Sequence, residues 1–269
     1  MGYTREELVN RTKWDEIAPV HARSYGLERL YQRQSLLKEV ERRELGDIAG
    51  KKALHLQCHI GHDTFSLELE GAEVTGVDFS EQSIHIAREL GEELHLNTRF
   101  LVGNVLQLDE VLEEQFDLIY TGQGALCWLR DIELWAHNVA THLREDGTFY
   151  IYEYHPFAYI FDEEAPQELT PKYDYFLKQP YHFTDESADY ADPAYPSQNP
   201  THEWLWSVSD IQNALLAKGL EIEFFHEFPA ATFQMFPFLE NAGDGYWELP
   251  SHRPSVPLMF SMKARKKRG

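Results

Sequence analysis

The chain has 269 residues, with 45 Asp and Glu against 24 Lys and Arg and a formal charge of −21. That length suits one large domain or two small ones, and 43% hydrophobic residues supply a core, which argues against global disorder. The acid excess argues against a general nucleic-acid or anionic-membrane binder, because both require a basic surface that displaces counterions. Two cysteines, Cys58 and Cys127, are too few for a disulfide framework and read as reduced thiols. The N-terminus lacks an apolar signal core, and no stretch approaches the ~20 apolar residues of a membrane span. A cytoplasmic protein that needs no membrane is the expectation. Five basic residues at the C-terminus (Lys263, Arg265, Lys266, Lys267, Arg268) read as a solvated end.

Residues 4–44 read as helices. Thr4 followed by Glu7 has the spacing of a capping box, and Leu27, Leu30, Tyr31, Leu36, Leu37 and Val40 recur at roughly helical intervals. Gly46 and Gly50 break the pattern. A short apolar strand at 53–57 leads to a helix at 62–70 that stops at Gly71. A strand at 74–78 is followed by Ser80, a good N-cap for a helix that Gly91 stops. Strands at 99–102 and 116–120 come next, then a helix over 130–144, a turn at Glu145-Asp146-Gly147 and a strand at 148–154. Strand–helix–strand repetition with connections this short predicts a parallel sheet covered by helices on both faces. Residues 156–206 interrupt it with a segment rich in proline, tyrosine and acid, whose aromatic content favours an ordered insert. Ser207 with Asp210 caps a further helix ended by Gly219, and strands at 220–228 and 256–264 complete the chain. The expectation is a single domain over 1–269: a helical cap at 1–44, a core at 45–155 and 207–269, and an inserted lid at 156–206.

In an open parallel sheet, ligands bind at the carboxyl ends of the strands near the point where strand order reverses. That rule selects 58–62, 78–80, 103–105, 121–126 and 155–156. Asp78 is the sharpest residue among them. It ends the second strand, and a carboxylate there accepts both hydroxyls of an adenosine ribose; the plainer alternative is an acidic charge at a helix N-terminus. The first turn, Leu54-His-Leu-Gln-Cys-His-Ile-Gly-His-Asp-Thr64, keeps only Gly61 where a dinucleotide loop has G-x-G-x-x-G. A pyrophosphate site and an NAD-type oxidoreductase are therefore disfavoured, and an adenosine without phosphates is easier to seat. Cys58, His59 and His62 match no zinc spacing, so no metal is expected.

These residues resemble the class I S-adenosylmethionine-dependent methyltransferase family over nearly the whole chain outside the insert. Residues 54–61 resemble its first motif and Val74-Thr-Gly-Val-Asp-Phe-Ser80 its second. Asn104-Val105, Phe116-Asp-Leu-Ile-Tyr120 and Leu143-Arg-Glu-Asp-Gly-Thr-Phe-Tyr150 fit its later elements. The resemblance implies a Rossmann-like, doubly wound α/β fold whose seven-stranded sheet is mostly parallel with an antiparallel last strand. It also implies S-adenosyl-L-methionine as cofactor, S-adenosyl-L-homocysteine as product, and in-line methyl transfer to a small-molecule acceptor.

Carried over by position, the resemblance puts the backbone of Gln57, Cys58, His59 and Gly61 under the methionine part of the cofactor. Asp78 would hold the ribose, Phe79 would pack on the adenine, Asn104 would hydrogen-bond it, Val105 would cover the ring and Thr121 would line the sulfonium end. His155 is the candidate base, with Glu153 and Tyr154 as neighbouring substrate contacts. Trp204 and Trp206 of the lid suit a flat or cationic acceptor through stacking and cation–π contact. Plainer readings are core packing for Phe79 and Val105, a turn histidine before Pro156 for His155, and a satellite core for the lid aromatics.

The family usually carries an acidic residue at the position of His55 and glycines at 57 and 59. A non-glycine residue at positive φ costs on the order of 1 kcal/mol, so ordinary dihedrals are expected at Gln57 and His59. Those departures also support a second class of function, a catalytically silent binding module on the same fold. Oligomeric state and the methylated atom leave no trace in the sequence.

Overall fold

A computed structural model describes residues 2–184, 189, 191–192 and 194–267; Arg268 of the basic tail lies outside them. The chain opens with α1 (Arg5–Ser24), whose capping box forms as its spacing dictates: Thr4 Oγ1 accepts the Glu7 N–H and the Glu7 carboxylate accepts the Thr4 N–H at 2.8 Å. Two short helices follow, α2 (Glu28–Tyr31) and α3 (Glu39–Leu45). The alternating half comprises β1 (Lys52–Leu56), α4 (His62–Leu69), β2 (Glu73–Asp78), α5 (Glu81–Leu94), β3 (Arg99–Val102), β4 (Phe116–Thr121), α6 (Ile132–His142) and β5 (Leu143–Tyr154). Within the insert, β6 (Tyr181–Phe183) and β7 (Thr201–Glu203) pair antiparallel. Then come α7 (Val208–Ala217) and β8 (Leu220–Phe228), followed by β9 (Ala230–Ala231), β10 (Glu240–Gly243) and β11 (Tyr246–Glu248), which form a small sheet. β12 (Met259–Lys266) closes the chain.

The main sheet has the order β3-β2-β1-β4-β5-β12-β8. Neighbours from β3 through β5 are parallel, and β12 runs antiparallel to both β5 and β8. Strands buried on both faces must be apolar on both sides. One face of the sheet carries Leu54, Leu56, Ile119, Phe149 and Ile151 against Trp135 and Val139 of α6 and Leu215 of α7. The other carries Ala53, Leu118, Tyr120 and Tyr150 against Leu37, Val40 and Leu67. Strand order reverses between β1 and β4, so their carboxyl ends diverge and open the crevice that such sheets use for ligands.

The structure shifts four expectations. α5 runs through Gly91 to Leu94, and His95 takes the left-handed C-cap (φ 51°). Gly91 is buried inside that helix and does not end it. The predicted turn at Glu145-Asp146-Gly147 is an irregularity inside β5, where the pairing jumps from Phe116↔Leu143 to Leu118↔Thr148. The last strand begins at Met259 rather than 256, because Pro257 has no N–H to give the ladder. It also runs on to Lys266, and its basic end is paired: Arg265 Nε lies 2.8 Å from Glu223 Oε1, Lys267 pairs with Glu221, and Lys266 Nζ donates to the carbonyls of Ala140 and Leu143 at the end of α6.

α1 packs on α5 through Ala18, Ile60 and Ile86. The insert in turn docks on α1. Asn10 exchanges two hydrogen bonds with the His202 backbone, and the Glu16 carboxylate accepts from Tyr195 OH, Gln198 N–H and Asn199 Nδ2. Insert aromatics also join a satellite core in which Ala158 and Phe161 meet Met235, Phe236 and Leu258. Among the described residues, no helix is long and apolar enough to cross a membrane.

Candidate functional site

The topology brings the tips of β1, β2, β3 and β4 together under α1. After β1 the chain turns sharply. Gln57 (φ 56°), His59 (φ 48°) and Gly61 (φ 84°) all take the left-handed region. This corrects the expectation of ordinary dihedrals at Gln57 and His59: the loop keeps the path that glycines allow, and tertiary contacts offset the strain. Cys58 N–H donates to Val77 O at 3.0 Å, Gly61 N–H to Cys58 O at 2.9 Å, and Gln57 Nε2 to Ala125 O at 2.7 Å. Gly61 admits no side chain, since a Cβ would lie 2.6 Å from the Phe100 ring. Cys58 is buried, and its Sγ would meet a Cβ on Gly76 at 2.8 Å, so it wedges the loop onto β2. Burial pushes its thiol well above the usual range.

Asp78 ends β2 with its carboxylate already employed: Oδ2 accepts the His59 N–H and Oδ1 the Ser80 N–H, both at 2.9 Å. Only 5% of the residue is exposed. Burial pushes its pKa up to about 6, against the pull of those backbone donors. Phe79 follows half-buried. Asn104, after β3, caps a short 3-10 helix (Val105–Glu110) by accepting the Leu106 N–H, while its Nδ2 donates to Glu7 Oε1 at 2.9 Å. Val105 is buried in the core beside α6. Thr121 closes β4 fully buried.

The N-terminal helix, expected with Trp14 and Tyr25 to close over the site, also brings Asp15 and His21, which sequence reasoning did not single out. Asp15 Oδ1 accepts Ser80 Oγ–H at 2.7 Å and Gln82 N–H at 3.1 Å. His21 Nδ1 lies 2.9 Å from His59 Nε2, and its Nε2 lies 3.0 Å from Asp189 of the insert. His59 Nδ1 reaches Ser83 Oγ at 2.9 Å, and Trp14 stands edge-on to the His59 ring at 4.9 Å. These partners lie 24 to 168 residues apart, a range over which local patterning carries no signal.

Between β4 and β5 the organising group is Glu153, buried at 2% exposure. Its carboxylate accepts the N–H groups of Gly124, Ala125 and Leu126 at 2.5, 2.7 and 3.1 Å. Burial nonetheless pushes its pKa up to about 7. Tyr154, Trp204 and Trp206 come together with Cys127 and Tyr159 around a cavity of about 20 Å³ beside that loop. Trp206 Nε1 donates to Leu129 O and Trp204 N–H to Cys127 O, both at 2.8 Å, which pins the insert to the loop. The structure does not join His155 to this set. Its ring packs against Phe225 and Phe260, and its Nε2 lies 3.0 Å from Glu227 of β8.

The electrostatics set a pH profile. Burial raises Glu41 to about 8, with Asp63 adding to it, Glu153 to about 7 and Asp78 to about 6. Burial lowers His55 to about 4 and His59 well below its usual value. The raised carboxyls hold protons in the fold that the unfolded chain releases, so their stabilisation is full near pH 4 and is lost as pH rises to about 8. The histidines act oppositely: the fold refuses a proton that the unfolded chain binds, so stability is lost as pH falls from about 6.5 toward 4. Above about pH 6.5 only the carboxyls act, each removing up to ~1.4 kcal/mol per pH unit. The melting temperature, followed by scanning calorimetry across buffers, is expected to fall from pH 6.5 to pH 8. A rise from pH 6.5 to 8 contradicts this assignment.

Residues 54–149 match a family model described as a methyltransferase domain. The match runs from β1 into β5, the stretch that carries the first turn and Asp78. A ubiquinone biosynthesis O-methyltransferase from Bordetella pertussis is 32% identical over 74 residues, which cover 28% of this chain and 31% of that protein. The match therefore spans about a third of the length of the curated relative. Among solved structures, an S-adenosylmethionine-dependent methyltransferase from Mesorhizobium loti superposes with a TM-score of 0.59 at 22% identity, covering 84% of this chain and 96% of that one. The glycopeptide N-methyltransferase MtfA complexed with S-adenosyl-L-methionine gives 0.54 at 17% identity, covering 87% and 96%. These likenesses show the methyltransferase fold, with β12 as its antiparallel strand.

Proposed function

We propose that this protein transfers a methyl group from S-adenosyl-L-methionine to a small-molecule acceptor by in-line displacement. The observation that carries the reading is Asp78: a carboxylate at the tip of β2, one strand from the reversal of order, beside a first loop whose positive-φ residues keep a glycine-like path. Three buried polar atoms near these tips have no partner among the described residues: Trp14 Nε1, Gln57 Oε1 and Thr121 Oγ1. A donor, an amide acceptor and a hydroxyl suit the carboxylate and ammonium of an amino-acid ligand better than phosphates. The residues fit the cofactor.

When bound, the cofactor supplies a sulfonium methyl whose leaving group departs as a neutral thioether. The chain does the rest by holding and shielding. Asp78 would accept the ribose hydroxyls, with Phe79, Asn104 and Val105 at the adenine. The backbone of Gln57, Cys58, His59 and Gly61 would support the methionine part and Thr121 the sulfonium end. α1 excludes water, and Glu153 fixes the 124–126 loop beside the Tyr154, Trp204 and Trp206 cavity, where the acceptor would align. The acid excess favours a neutral or cationic acceptor over nucleic acid.

One observation favours a second reading, a silent module: the His59 ring, where the family usually has no side chain, is fixed between Ser83 and His21 beneath α1. Calorimetric titration decides between them. Saturable heat with S-adenosyl-L-homocysteine supports the enzyme, and no heat with either cofactor form at about 1 mM, where even weak cofactor sites fill, overturns it.

A further inference from the structure

Where β5 leaves the sheet, an open groove of about 570 Å³ lies between the end of β5, the insert and β8. Its size falls among small-molecule sites. Its walls are aromatic and braced. Phe157 is held edge-on by Phe161 at 5.3 Å between centroids, and Tyr175 stands edge-on to Phe176 at 5.0 Å. The Tyr175 hydroxyl accepts the Val208 N–H at 3.1 Å, which fixes that ring. Phe176 is 70% exposed, so its apolar face meets water at a standing cost.

The charge in the groove is one carboxylate. Glu227 reaches it from β8 with its side chain 55% exposed, and His155 Nε2 lies 3.0 Å from Oε1. His155 Nδ1 accepts the Phe157 N–H at 3.1 Å, which leaves the ring proton on Nε2, facing Glu227. Burial holds the imidazole below the usual histidine range. It therefore leaves the Glu227 charge uncancelled at neutral pH. No lysine or arginine is among the described residues that line the groove.

We propose that this groove binds an organic ammonium ion, quaternary or N-methylated, with the cation against the Phe157, Tyr175 and Phe176 rings and Glu227 as its counter-charge. The chemistry narrows the occupant. An anion meets the carboxylate and the chain's excess of acid. A hard metal ion needs several oxygen ligands, and the groove offers one carboxylate. A methylated ammonium is poorly hydrated and is attracted by aromatic faces. The site is built from the end of β5, the insert and β8, so it stands whether or not the chain transfers methyl groups.

The test compares choline with its neutral carbon isostere, 3,3-dimethyl-1-butanol, on the full chain by saturation-transfer NMR and calorimetry. Choline is expected to bind in the millimolar range and the isostere about tenfold more weakly. Phe176→Ala and Glu227→Gln are each expected to weaken choline about fivefold or more at an unchanged melting temperature, because both side chains are exposed. Equal binding of choline and the isostere overturns the proposal, as does no choline binding at about 50 mM. Choline binding that neither variant changes places the cation elsewhere and overturns it too.

Discussion

Asp78→Ala is expected to weaken S-adenosyl-L-homocysteine binding by about a hundredfold or more. Each charge-assisted hydrogen bond from a ribose hydroxyl to a buried carboxylate contributes roughly 1.5–3 kcal/mol, and two are lost together. The substitution also takes the acceptor from the His59 and Ser80 N–H groups, leaving two buried donors at about 1 kcal/mol or more each. Asp78→Asn separates the two effects. It keeps one acceptor oxygen, so its melting temperature should recover much of the loss while affinity stays at least tenfold down. Because the carboxyl titrates near 6, wild-type affinity should fall below that pH by up to about tenfold per unit as the acceptor is protonated. Calorimetry on the three proteins reads all of this. An Asp78→Ala variant that titrates like the parent would place the ribose elsewhere.

Glu153→Ala is expected to be the most destabilising single substitution near the site, by roughly 3–6 kcal/mol. Three consecutive amides, Gly124, Ala125 and Leu126, lose the carboxylate that accepts from them in a buried loop, and each orphaned buried N–H costs ~1–3 kcal/mol. Set against a typical domain stability of about 5–15 kcal/mol, that approaches unfolding. Glu153→Gln keeps one oxygen but presents an NH₂ to an N–H, so about half the loss should remain. Urea denaturation measures both. A cost below ~1 kcal/mol for the alanine variant would mean that solvent, not the carboxylate, satisfies the loop. The loop matters beyond its own stability, because Ala125 O holds Gln57 and through it the first turn.

Much of this architecture was legible in the sequence because it is local. Strand and helix spans follow from hydrophobic periodicity, caps from Thr4, Ser80 and Ser207, and the importance of Asp78 from its place at the end of β2. The seven-stranded sheet with antiparallel β12 came from resemblance rather than periodicity, since pairing between Met259 and Tyr154 is non-local. The backbone of Gln57 and His59 was misread because the rule against positive φ is intrinsic, whereas the Ala125, Ser83 and His21 contacts that hold it are tertiary. Gly91 is a terminator by propensity, yet α5 runs through it to Leu94 with the residue buried against the core. His155 shows the limit of strand-end logic. The position is a strand tip, but the ring turns to the β8 side, and only the paired strand with Glu227 determines that.

α1 is fastened at Ser80 by Asp15, at His59 by His21 and to the insert through Glu16, and Asp78 keeps only a sliver of surface beneath it. A nucleoside held on β2 as proposed would have to arrive and depart past that helix. Residence time there would then follow how often the fastenings release, and a tight complex would turn over at the pace of a helix lifting rather than at the pace of bond making.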